Sequence, residues 1–477
     1  MRAGFAERDI TPPRGLEMPG GSRRAFHEGA VHDPCKVRAT VFDDGTEQVA
    51  LVSVDAVIVP QTLVQSVREQ IKIRYGIHPS SVMIAATHSH SAGPLGFYER
   101  GRFDHAPEWI QRLAYEQSPC ADTGYIRHVS EQIVSAVSEA WAIRMEVQCG
   151  VAKGCETKAA FTRRFRMRNG LTYTFPGQGN PDIISQAGPI DPDVGVLGVW
   201  DHEGRLLGCI VNYACHLTSK PGGTSADWVY YLEQVIRAGL GSDVVVLFLN
   251  GACGDITPVD TLGRYQNQIG EKWARRIGAR VGAEAIKALL DAVPGAMAPV
   301  CARVTQLNIP RRRPSSERVE QAGLLLMDGS SREGTSERFF AREIVLLDAI
   351  LAQEPEAGVE VQAIQIGPAV LLACPGELFC ELGLKLKASN QFAFVFPVSL
   401  ANGFCGYLPT IEAMSATGGG YETRLTSHSN LEIGAGDIIV QTLAEMAADL
   451  TPGSMPEPPC PPGFTSAWSF GNVPAEC

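Results

Sequence analysis

The chain has 477 residues, 45% of them hydrophobic and only 19% charged, with a formal net charge of −11 at pH 7. The length allows one large domain or several ordinary ones, and the balance is that of a well-buried globular protein. The acid excess disfavours a sequence-independent grip on phosphate backbones, and no apolar run approaches the roughly 18 residues of a membrane span, so neither nucleic acid nor a transmembrane segment is expected.

The amino terminus, MRAGFAERDITPP, is charged at Glu7, Arg8 and Asp9 where a secretory signal would be apolar, which predicts a cytoplasmic chain. Residues 48–59, QVALVSVDAVIV, form a valine-rich apolar run, QTLVQSVREQIKIRYG (61–76) has helical periodicity, and VMIAA (82–86) is again a short buried strand, a β-α-β arrangement. His88 and His90 follow at once, separated by Ser89. If the extended geometry persists, both imidazoles face one space. The segment 95–125 is long, aromatic and charged, which suits an active-site cover.

A helix over about 125–143 and a strand over about 146–152 come next. Residues 195–216 hold two apolar runs around DHEG, a hairpin signal, and the second run ends on His216. Residues 242–258 read as a buried strand leading into a glycine-rich loop with Asp255. Amphipathic helices are predicted over 262–292 and 337–354. Residues 359–379 read as a strand pair turning at GP and leaving through PGE, with Glu377 at a helix start. After FAFVFPVSL a loop carries GGGYET, a last helix spans 434–449, and the proline-rich remainder is irregular. No repeat or linker divides the chain, so one domain over 1–450 with a tail over 451–477 is expected. The predicted fold class is α/β, a mixed β-sheet core flanked by helices with the site at strand ends and loops. Thirteen cysteines without a CxxC predict reduced, mostly buried thiols. The basic run at 311–313 reads as a solvated loop.

Strands that end on His88, His90, His216 and Asp255, and just before Glu377, put polar groups at the rim of a mixed sheet, where ligands of open α/β sheets gather. Two or three imidazoles with a carboxylate form a zinc set, because catalytic zinc takes mixed nitrogen and oxygen ligands. Each residue also has a plainer reading. His216 suits a core histidine on a carbonyl, Glu377 a first-turn glutamate, Tyr421 a cap on a surface loop, Asp227 a helix N-cap, and His428 an exposed loop histidine.

The strings DITPP (9–13), THSHSAGP (87–94), NYACHLTS (212–219), NGACGDITP (250–258), PGELF (375–379) and GGYET (419–423) together resemble the neutral/alkaline non-lysosomal ceramidase family, in the family's order. The resemblance implies a zinc ion held by His88, His216, Glu377 and Tyr421, with His90 as proton donor to the leaving nitrogen. It implies a substrate-holding arginine in FTRRFRM, matching Arg163 with Arg164 as its rival, and Asp227 and His428 are further candidates for the same cavity. Where the family has serine in its GDxSP motif this chain has Thr257, whose methyl group makes it a doubtful nucleophile, so attack by zinc-bound water is expected instead.

The family's immunoglobulin-like carboxy-terminal domain has no counterpart in the text, which is read as a short form. The function implied is a zinc-dependent amidohydrolase acting on a carboxamide, ceramide-like or another small and even amphipathic amide. Ester or lactone cleavage, amide formation, and a non-catalytic ligand-binding descendant stand as rivals. The oligomeric state stays open.

Overall fold

The apolar runs become strands buried on both faces, and period-two alternation divides their side chains between two cores. A computed structural model describes residues 1–477 apart from 22–23, 329–335, 390, 469, 471–473 and 476–477. A first sheet has the strand order Val82–Ala86, Gln48–Val54, Lys36–Asp43, Arg2–Asp9, Met145–Glu146. A second runs Val245–Asn250, Leu206–Tyr213, Asp193–Trp200, Gln148–Cys155, and a third Val300–Pro310, Glu356–Ile366, Ala369–Ala373, Phe394–Val398.

These three sheets share one inner core. Val49 and Leu51 from the first meet Leu247 and Leu249 from the second and Leu371 and Ala373 from the third. The intervening residues face outward under helices. Ala50, Val52 and Val54 pack on helices Gln61–Tyr75 and Thr123–Ala142 through Leu63, Val67, Ile133 and Val137. Val246 and Phe248 pack on helices Trp228–Leu240 and Glu271–Asp291. Val370 and Leu372 pack on helices Cys380–Ala388 and Ala435–Ala448. Each such side chain contributes about 1.5–3 kcal/mol when fully buried, so a two-sided strand is held far more firmly than a solvent-facing one. A Cβ at Gly278 would lie 2.2 Å from the Trp228 carbonyl oxygen, so glycine there lets two helices cross closely.

Each sheet contains one parallel pair at the place that matters. Val82–Ala86 runs parallel to Gln48–Val54, Val245–Asn250 to Leu206–Tyr213, and Phe394–Val398 to Ala369–Ala373, while the other pairings within the three sheets are antiparallel. The predicted mixed α/β class is what the chain adopts. The segment 95–125 includes a helix, Glu108–Tyr115, and packs through Tyr98, Phe103 and Leu113 on helices Ser316–Met327 and Ser336–Leu351.

Several predicted elements shift. Within 242–258 the strand is Val245–Asn250 and the expected glycine-rich loop begins at Gly251, whose N–H donates to the Tyr213 carbonyl. The helix read from 262 begins at Glu271, after a loop in which Gln268 binds the backbone of Asp260 and Tyr265. Glu377 does not start a helix. It lies in the strand Gly376–Leu378, parallel to Gly406–Leu408 and opposite Tyr407, and the helix begins at Cys380. The antiparallel partners Arg2–Asp9, Lys36–Asp43 and Val300–Pro310 have no counterpart in the sequence reading.

Among the described residues the cysteines are free and most are buried. No helix among them is long and apolar enough to cross a membrane. Residues 451–468 form neither helix nor strand, and of the remaining tail 469, 471–473 and 476–477 lie outside the described residues.

Candidate metal centre

Each of the three sheets delivers one donor to a common point. His88 follows the strand Val82–Ala86, His216 follows Leu206–Tyr213, and Glu377 follows Ala369–Ala373. The extended geometry expected at His88 does not persist, since its φ is +77°. The backbone curls so that the N–H groups of His88 and Ser89 both donate to the Ala56 carbonyl, at 2.9 and 3.1 Å. His88 and His90 still face one space, with ring centroids 4.7 Å apart, and His216 lies 4.7 Å from His88.

Backbone carbonyls fix the three rings. His88 Nδ1 is 2.7 Å from the Val57 oxygen, His216 Nδ1 is 2.8 Å from the Cys253 oxygen, and His90 Nδ1 is 2.5 Å from the Gly20 oxygen. A carbonyl only accepts, so each Nδ1 carries the hydrogen and each Nε2 presents a lone pair. Arg163 makes the same point independently, because its Nη1 donates toward His216 Nε2 at 3.2 Å and a guanidinium cannot accept.

The lone pairs converge. His90 Nε2 is 3.3 Å from His88 Nε2, and Glu377 Oε2 is 3.4 Å from His88 Nε2 and 3.1 Å from His216 Nε2. Glu377 Oε2 is buried without a hydrogen-bond partner. Burial opposes the Glu377 charge, and positive charge or a hydrogen on the His88 and His216 rings is what would outweigh it and hold the carboxyl well below the usual range. Burial, then Arg163, lowers His216 to about 4. Burial and the neighbouring imidazoles push His90 well below its ordinary value. With both Nε2 atoms bare, the buried Glu377 oxygen has no such partner and faces a neutral His216. Acceptors packed in this way repel unless a cation lies among them. The nitrogen and oxygen donors suit zinc. The three imidazoles could also hold an ion on their own, their ligand atoms lying within 4.8 Å of one another.

Tyr421 opens a short 3-10 turn after Gly419 and Gly420, whose φ values of +115° and +104° few other residues adopt. It lines, with His88, His90, Glu377, Tyr407 and His428, a cavity of about 100 Å³. Burial and then the Glu377 charge push its phenol upward. Its hydroxyl is 3.1 Å from His428 Nε2. Phe97, Tyr98 and Pro119, from the segment read as a cover, also line this cavity.

The two arginines separate. Arg163 is buried beside the donors, with Nε on Glu422 Oε1 at 2.5 Å and Nη2 on the Gly254 carbonyl at 2.7 Å and the Tyr407 hydroxyl at 3.2 Å. Arg164 turns to the Gly419 carbonyl at 2.7 Å and lies over the Phe379 ring. Thr257 pairs with Phe161 and accepts from the Val259 N–H at 3.3 Å, outside the residues that line the cavity. Asp227 caps helix Trp228–Leu240 through the Trp228 N–H and also accepts from the N–H groups of Ser219 and Lys220, so it fixes the loop after His216. Asp255 accepts from the Cys380 N–H at 2.8 Å, and burial raises its carboxyl to about 6.

Glu422, Tyr407 and Glu343 were not singled out from the sequence. Glu422 stands beside Tyr421 in the GGYET string, where an acid next to a ligand candidate was a signal. Tyr407 and Glu343 reach the site only through the packing of distant elements and carry no local signal.

The fold defines a mixed α/β protein with a convergent cluster of imidazoles and a carboxylate at its strand ends. No family model matches the chain. A curated neutral ceramidase from Pseudomonas aeruginosa is 25% identical over 301 residues, 60% of this chain and 41% of that protein. The chain thus spans about two fifths of the curated relative it matches. The crystal structure of neutral ceramidase from Pseudomonas aeruginosa superposes with a TM-score of 0.68 at 20% identity, over 96% of this chain and 76% of the other. A structure described as ceramidase complexed with C2 gives a TM-score of 0.67 at 19% identity, over 96% and 77% of the two chains. Over part of its sequence and nearly all of its fold the chain is similar to neutral ceramidase, the resemblance its motifs led one to expect.

Proposed function

We propose that the chain is a zinc-dependent hydrolase of a carboxamide, with residues 1–450 as one catalytic unit. The observation that carries this reading is the partnerless Glu377 oxygen among imidazole lone pairs. The similarity to neutral ceramidase favours an amide as the bond cleaved.

His88, His216, Glu377 and Tyr421 would hold the ion, whose bound form supplies Lewis acidity toward a carbonyl oxygen and an acidified water. The chain's own residues do the rest. The carbonyls of Val57 and Cys253 keep His88 and His216 in the tautomer that offers Nε2. Arg163, clamped by Glu422 and the Gly254 carbonyl, is a fixed positive charge 3.2 Å from His216 Nε2, behind the donors, and would favour negative charge developing at the site. His90 is neutral in the resting site, so it enters as a base toward the attacking water. The proton it takes is then the one it delivers to the departing nitrogen. Phe97, Tyr98 and Pro119 shield this exchange from bulk water. Thr257, Asp227 and Arg164 act as supports that hold the loops carrying Arg163, His216 and Tyr421.

The test is metal analysis of the purified chain, then chelation and zinc readdition with a matched pair of N-acyl amide and ester substrates. One equivalent of zinc and metal-restored amide cleavage support the proposal. Cleavage of the ester alone shifts it to ester chemistry, and stoichiometric zinc without turnover points to a binding protein.

A further inference from the structure

Beyond the four proposed ligands the structure contains a second line of contacts aimed at Tyr421. The Tyr421 hydroxyl lies 3.1 Å from His428 Nε2, and His428 Nδ1 lies 3.4 Å from Glu343 Oε2 and 3.3 Å from Ser427 Oγ. Glu343 projects from helix Ser336–Leu351, 1% exposed, and accepts from the Tyr98 hydroxyl at 2.9 Å and from Ser427 Oγ. Its other oxygen accepts from Arg342 at 3.2 and 3.3 Å. Three separate segments, namely the cover at Tyr98, helix Ser336–Leu351 and the loop at 421–428, therefore meet on one carboxylate.

With the His428 ring neutral, the chemistry of these groups gives one consistent arrangement. An ionised carboxylate only accepts, so the hydrogen of His428 lies on Nδ1, facing Glu343. His428 Nε2 is then an acceptor, and the one hydrogen it can take from Tyr421 is that of the phenol. With its hydrogen directed to His428, the phenol oxygen turns its lone pairs to the cavity that Glu377 and His88 line. The aromatic rings of Phe97 and Phe339, 6.1 and 6.0 Å from the His428 ring, restrict the imidazole to this orientation.

We propose that Glu343 and His428 are positioning residues that orient the Tyr421 phenol as a cation ligand, through the hydrogen-bonded series Glu343, His428, Tyr421. The inference rests on the metal reading of the site and adds the part of the chain that makes a neutral phenol usable there. It also gives the cover segment a stake in metal binding, because Tyr98 shares Glu343.

The measurement is zinc affinity of the whole chain, stripped by chelator and titrated against a chromophoric competitor, with the visible spectrum of the cobalt-loaded protein as a second readout. His428→Ala should weaken affinity about 10- to 100-fold, the usual effect of losing an outer partner of a metal ligand, and Tyr421→Phe, which removes the ligand itself, at least as much. The double variant should be no weaker than the weaker single one. Glu343→Gln should weaken zinc about tenfold, and its cobalt spectrum should shift toward that of Tyr421→Phe. His428→Gln, which keeps an acceptor for the phenol, should regain most of the affinity, and it replaces the alanine variant if that chain loses its near-ultraviolet circular dichroism. An unchanged affinity in His428→Ala, or losses that multiply in the double variant, would overturn this inference while leaving the metal site standing. A wild-type chain that takes up no zinc would overturn the site and the inference together.

Discussion

Replacing Glu377 by glutamine keeps the side chain's shape and removes its charge, which separates its two roles. The carboxylate would complete the proposed donor set, yet without an ion it crowds its oxygen against two imidazole nitrogens. The Glu377→Gln chain should lose stoichiometric zinc, while its metal-free form should melt higher than the metal-free wild type. Metal content and calorimetry check this, and a lower melting temperature would contradict the account of mutual repulsion. His88 offers a second test at this scale, because its φ of +77° is one that side chains with a Cβ enter at a cost of about 1 kcal/mol. Metal-free His88→Gly should therefore be more stable than His88→Ala by about 1 kcal/mol, the reverse of the order in a strand or helix. Denaturant unfolding of the two variants decides it.

Among elements, the strand Lys36–Asp43 of the first sheet is joined to helix Trp228–Leu240 by Glu233. That carboxylate binds Arg38 through Nε at 2.9 Å and Lys36 and Arg237 each at 2.7 Å. Burial opposes its charge, but Arg38, Lys36 and Arg237 outweigh it and hold the group at about 2, below its ordinary 4.5. A depressed carboxyl stabilises the fold above the unfolded value, and the contribution disappears as pH falls from 4.5 through about 2. The shift corresponds to about 3 kcal/mol. The stability difference between wild type and Glu233→Gln should thus be full at pH 6 to 7, and this part of it should vanish near pH 2. Unfolding curves across that range check the sign.

The elements also show what could be read in advance. His88, His90, His216 and Glu377 were legible because each follows an apolar run, and a strand's end is a local signal. The position of Glu377 in a strand was not, because the pairing of Gly376–Leu378 with Gly406–Leu408 joins segments about thirty residues apart through a close approach at Gly376, where a Cβ would lie 2.9 Å from the Gly406 carbonyl oxygen. The early antiparallel strands escaped notice for a related reason. Arg2–Asp9 and Lys36–Asp43 carry Glu7, Arg38 and other charges whose partners lie on a helix 230 and 195 residues away. Glu343 reaches His428 in the same non-local way.

At the scale of the whole molecule, three sheets pack against one inner core and one candidate donor follows a strand of each. An ion that binds only the folded chain adds stability as RT ln(1 + [L]/Kd), about 4 kcal/mol at a thousandfold excess over Kd. The melting temperature should rise with free zinc and fall on chelation, and a melting temperature indifferent to zinc would count against the site. The geometry also sets what kind of fastener the ion would be. A rivet through one sheet would stiffen only its neighbourhood, whereas this one sits where three independent layers touch, so its loss should loosen their mutual registry before any single layer frays. Hydrogen exchange on the stripped chain should accordingly quicken first at the seams, with the middles of the strands still protected.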